Sequence, residues 1–105
     1  MTKPALFRAA AESDATEALQ HYFDVAPQLA RAWAEALDAA VLHIQRFPAT
    51  GSPRYAETMV CAGLRLWLLD RFPYALFYVE REHDLDVLRV LHQHSDIPSL
   101  LAPSV

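Results

Sequence analysis

At 105 residues the chain has room for one ordinary domain and is expected to be one over residues 1–105, without a second core or linker. Hydrophobic residues make up 53% and charged residues 21%, which excludes a disordered tail. A net charge of −4 at pH 7 argues against a protein that grips a phosphate backbone through a basic excess.

Charge counted by halves does not change this. Residues 1–63 carry five Lys/Arg and seven Asp/Glu, and residues 64–92 carry four Arg and five acids. Direct nucleic-acid contact is therefore not expected. A mean hydropathy of +0.07 is high for so small a chain, and fits either a well-filled core or apolar surface that a partner covers. Cys61 is the single cysteine, so no internal disulfide is available and a reducing compartment fits. The first residues are too charged for a signal-peptide core, and no apolar run reaches the ~18 residues of a membrane helix. A cytoplasmic protein without membrane contact is expected.

Along the chain, Pro4 to Arg8 holds a short apolar segment, Ala5-Leu6-Phe7, that reads as a first strand. Asp14 followed by Glu17 has the spacing of a capping box, with Ser13 as rival cap, and places a helix start there. Ala18, Leu19, Tyr22 and Phe23 then recur at helical spacing. Leu29, Trp33, Leu37, Val41, Ile44 and Phe47 form one stripe at steps of three and four, predicting a long helix over residues 27–47. Pro27 suits its first turn and Pro48 stops it. Trp33, Leu37, Val41 and Ile44 are all expected to be buried, and the two helices to pair antiparallel.

Pro48, Gly51, Pro53 and Gly63 mark residues 48–63 as a loop. The apolar period then shortens. Leu64–Phe72, Tyr74–Glu80 and Leu85–His92 read as three strands, joined at Pro73 and at a charged turn, Glu80 to Asp84. Ile97 to Leu101 is a short apolar tail. Strand, two helices and three strands predict an α+β domain: a helical hairpin on a mostly antiparallel sheet of three or four strands.

Particular segments are more telling than this order. RFPATGSPR (residues 46–54), GLRLWLLDRFPYALFYVE (63–80) and LDVLRVLHQHSD (85–96) resemble the helix end, central hairpin and last strand of RelE/ParE-family toxins, closer to the ParE branch. The resemblance implies a toxin of a type II toxin–antitoxin module, neutralised by a cognate antitoxin whose C-terminal segment adds a helix or strand to apolar grooves. Tyr22, Trp33 and Phe77 are the expected contacts for that partner.

In the RNA-cleaving members of the family, cationic and acid–base groups on the sheet hold the scissile phosphate and move its protons. The candidates for such a role here are Arg65, Arg71, Tyr78, Arg89 and His92, the last suited to proton transfer near neutral pH. The chain also departs from those members. Its one lysine is Lys3, and Gln93-His94-Ser95-Asp96 stands where relatives carry an Arg-Arg-Asp ending. The closeness to the ParE branch implies an inhibitor of DNA gyrase, and these departures agree, so gyrase is the expected target, ahead of the ribosome and its mRNA. A decayed toxin that only binds its antitoxin is a third reading. No cofactor or metal is expected: His92 and His94 share a strand face, but Asp96 is the sole further ligand nearby.

Overall fold

The computed structural model describes residues 2–102. β1 (Ala5–Phe7) leads into α1 (Ala9–Val25) and α2 (Pro27–Arg46), which are joined by Ala26 alone. A 3-10 turn over Pro48–Thr50 and a looped stretch follow, then β2 (Leu64–Leu68), β3 (Tyr74–Glu80), β4 (Leu85–His92) and a five-residue α3 (Ile97–Leu101). The strands form one sheet in the order β1-β4-β3-β2. β1 runs parallel to β4 and the other pairs are antiparallel, as expected of a mostly antiparallel sheet.

β3 has five consecutive buried residues, because both faces of the sheet are covered. On one face the helical hairpin packs Ala18, Trp33, Ala40 and Ile44 onto Leu76, Tyr78, Val87 and Val90. On the other, the loop residues Tyr55, Ala56 and Met59 and Ile97 of α3 cover Leu64, Leu66, Phe77 and Leu91. The long helix ends where Pro48 requires, and Trp33 and Ile44 are fully buried. Leu37 and Val41 lie only partly buried at the margin of the same cluster. Of α2, the fold buries Ala30, Trp33, Ala40 and Ile44, so two alanines take places the stripe of large residues was expected to fill. Phe47, at its end, is 55% exposed.

Two further expectations need correction. The first helix begins at Ala9, five residues before Asp14, and its N-cap Arg8 makes no side-chain cap. Asp14 caps something else. β1 covers the outer edge of β4 only as far as Val87, where its last bond is Arg8 N–H to the Val87 carbonyl. A bulge then moves the β3 partner from Val87, opposite Tyr78, to Arg89, opposite Phe77, leaving Leu88 over. From α1, Asp14 reaches this uncovered edge. It accepts the Val90 N–H at 3.0 Å and receives Arg89 Nε at 2.7 Å and Nη2 at 2.8 Å. The second correction concerns β2, which stops at Leu68: Arg71 turns through φ +69° ahead of Pro73, and the chain leaves the ladder before Phe72.

The parallel strand is held by charge as well. Asp86 accepts Arg8 Nε and Nη2, at 3.0 and 2.8 Å, and Arg81 Nη2 at 3.1 Å. The hydrogen bond from Arg8, helped by Arg81 and opposed by burial, holds the Asp86 carboxyl below the usual carboxylate range. The folded carboxyl thus titrates lower than the unfolded one. Its stabilisation is complete above about pH 4 and is lost as pH falls through the folded value. Because Arg8 is largely exposed, the pair contributes at most about 1 kcal/mol. Asp86→Asn is predicted to lower the melting temperature at pH 7, by an amount that shrinks as pH falls through the folded value of Asp86. Thermal melts followed by circular dichroism across pH test this; an equal deficit at both ends would contradict it.

Candidate functional site

The five candidate residues singled out from the sequence do not converge. Arg65 on β2 and Tyr78 on β3 are register partners, and both turn to the same loop. Tyr78 is fully buried; its hydroxyl donates to the Pro48 carbonyl at 2.7 Å and accepts the Gly51 N–H at 3.2 Å. Arg65 Nη1 donates to the Gly51 carbonyl at 2.7 Å. A Cβ on Gly51 would stand 2.4 Å from the Tyr78 hydroxyl, so only glycine allows the loop to come this close. Burial raises the Tyr78 phenol above its ordinary value, outweighing the hydrogen bond from Gly51 and the charge of Arg65. These two residues fasten the 48–52 loop across the sheet.

Arg89 and His92, on β4, line a cleft with Asp14, Glu17, His21 and Tyr74. Arg89 spends its guanidinium on Asp14 and, through Nη1, on the Leu100 carbonyl at 2.9 Å. Asp14 accordingly raises the Arg89 pKa further above its ordinary value. His92 accepts the His94 N–H on Nδ1 at 3.1 Å, leaving Nε2 to carry the proton of a neutral ring, and meets Tyr74 edge-on at 5.1 Å. Arg71 stands apart, exposed in the β2–β3 turn.

Of the residues expected to meet a partner, Trp33 and Phe77 have no exposed surface and belong to the core. Their large rings fill the two faces of the sheet. Tyr22 is half-buried between Phe72 and Tyr74. Residue types alone did not mark Asp14, His21 and Tyr74 as lining one cleft with Arg89 and His92. Asp14 and His21 sit two helical turns apart, and Tyr74 pairs with His92 only through the β3–β4 register. Among the described residues no group of three or more His, Cys, Asp or Glu is placed to hold a metal ion. No described helix is long and apolar enough to cross a membrane.

Comparison with known proteins agrees with this architecture. The chain is similar in fold to a solved structure titled "Chromosomal ParDE TA system from P. aeruginosa", with a TM-score of 0.71 at 20% identity, over 87% of this chain and 96% of that one. No curated protein matches it. The model of one family, described as "ParE toxin of type II toxin-antitoxin system, parDE", matches residues 5–97. That span takes in all four strands and both long helices, and the chain therefore belongs to the ParE toxin family of type II toxin–antitoxin systems.

Proposed function

We propose that the protein is held silent by a cognate antitoxin and, when released in the cytoplasm, acts on DNA gyrase by protein contact and not by cutting RNA. The observation that carries this reading is the engagement of the groups phosphate chemistry would need. Arg65 is bonded to Gly51, Tyr78 to Pro48 and Gly51, and Arg89 to Asp14 and Leu100. To bind a scissile phosphate, Arg65 would have to release the loop and Arg89 the edge of β4. Arg71 is exposed but lies at a different turn from His92. A clamp on RNA draws its affinity from several free cations at one place, and β4 offers none.

The competing reading, a ribosome-dependent mRNA nuclease, has one observation in its favour: His92, Tyr74 and His21 border a single cleft. A supercoiling assay run beside primer extension on mRNA from a translating extract separates the two. Loss of supercoiling with intact mRNA is expected. Cleaved mRNA with normal supercoiling would overturn the proposal, and so would neither effect, which fits a chain that only binds its antitoxin.

The same reading makes Tyr78 a fastener of the loop. Tyr78→Phe leaves the buried Gly51 N–H and the Pro48 carbonyl without a partner, and is predicted to cost about 1–2 kcal/mol in urea unfolding. Because the folded phenol titrates above the unfolded one, the parent's advantage is full below about pH 10 and is lost as pH rises through the folded value. The folded variant should still inhibit its target. Abolished activity at unchanged stability would instead make Tyr78 a catalytic residue.

A further inference from the structure

Among the described residues, two that are not glycine take positive φ, Arg71 at +69° and Val60 at +50°. Val60 is the costlier of the two. A β-branched side chain crowds its own backbone in the left-handed region and rarely stands there. Three residues on, Gly63 takes φ +81° in the same loop with no Cβ to strain. The loop thus has two left-handed positions and fills one of them with valine.

The hydrogen bonds define that position. After Pro53 the chain makes a single helical turn, with Ala56 N–H on the Pro53 carbonyl at 2.9 Å and Met59 N–H on the Tyr55 carbonyl at 3.0 Å. It then closes: Cys61 N–H returns to the Ala56 carbonyl at 2.9 Å and Val60 N–H to the Glu57 carbonyl at 3.1 Å. This nested pair of bonds is the Schellman ending of a helix, whose left-handed residue is usually glycine. The apolar contact that accompanies it joins the residues at the two ends of the outer bond. Here these are Ala56 and Cys61, and both pack against the cluster of Leu64, Phe77 and Leu91.

The motif is therefore complete without the Val60 side chain. That side chain is 92% exposed, the most of any large apolar residue described. It adds nothing to the core and strains the turn. Its neighbours in the loop, Glu57, Thr58, Ala62 and Gly63, are all exposed and are polar or small. The turn beneath is well anchored. Tyr55 meets Phe77 edge-on at 5.8 Å, and Met59 joins Ala56 and Cys61 on the sheet. The result is one fixed apolar knob inside a polar rim, on the face of the sheet opposite the helical hairpin.

We propose that Val60 anchors the toxin to its target by entering a preformed apolar pocket on the surface of that folded enzyme. The proposal rests on the reading above, inhibition of gyrase by protein contact, and adds a contact residue to it. A strained conformation that gains no contact within the chain is accounted for by one outside it. A single apolar anchor that a polar rim shields from water is how a few residues come to carry most of the binding energy of an interface. Shape selects the kind of partner. A segment that orders on binding fills grooves and brings no pocket of its own. A fixed convex knob instead suits a partner that is already folded. Residues 55–62 carry one charge, Glu57, which suits a protein surface and not a phosphate chain.

The test uses the full-length toxin with purified gyrase and with the antitoxin encoded beside it. Val60→Gly and Val60→Asn both suit a left-handed residue, and both remove the apolar branch. Val60→Ile keeps the branch and the strain. The glycine and asparagine variants are expected to raise the urea midpoint and to bind antitoxin as the parent does. They should need at least about tenfold more toxin to block supercoiling. Val60→Ile should match the parent in all three respects. Misfolding does not produce a variant that is more stable and less active. If the glycine and asparagine variants inhibit like the parent, the proposal falls and the gyrase reading stands. If neither raises the urea midpoint, the valine is not strained and the proposal falls. If they lose the antitoxin instead, or if the parent self-associates in sedimentation and they do not, the pocket lies on the antitoxin or on a second copy, and the proposal again falls. If the parent toxin itself leaves supercoiling intact, the gyrase reading fails first and takes the proposal with it.

Discussion

A single carboxylate, Asp14, closes the weakest place in the sheet. β1 is three residues long and protects β4 only to Val87. Beyond it the edge would lie open, and an open edge is both unsatisfied and a template for pairing with other chains. Asp14 takes the Val90 N–H and two nitrogens of Arg89, and so fixes the first helix to the strand. With α1 fixed and Ala26 the whole connection, α2 has little freedom in where it crosses the sheet. Trp33 and Ile44 are buried as a consequence of that crossing.

This constraint divides the chain's cations into two sets. One set is consumed by architecture: Arg8 and Arg81 on Asp86, Arg89 on Asp14, Arg65 on the loop that Tyr78 also holds. The other set, Arg46, Arg54 and Arg71, pairs with no carboxylate among the described residues. The chain's net charge of −4 is consistent with this division.

Much of the fold was legible in the residues. Apolar alternation and Pro73 place β3 and β4 at their observed ends, and Pro27 and Pro48 bracket the long helix. What was not legible is tertiary. Asp14 and Glu17 have the spacing of a helix cap, yet Asp14 serves a strand 76 residues away. No local signal distinguishes the two uses. Trp33 and Phe77 were expected to meet a partner, because a sequence does not show whether a large aromatic residue fills a core or an interface. Charge counted by halves concealed a basic stretch over residues 39–79, with four arginines and two acids, since a boundary at residues 63/64 cuts through the middle of it. A window set by the loop and hairpin would have exposed it.

The central claim is that the charged residues of β4 hold the fold and are not free for chemistry. A double-mutant cycle on Asp14→Ala and Arg89→Ala, read by urea unfolding, tests it most directly. The account predicts strongly non-additive losses, with a coupling of about 1–3 kcal/mol, because either single change already breaks the shared edge contact. Losses that add to within about 0.3 kcal/mol would contradict it, and would return Arg89 to the residues available for a substrate.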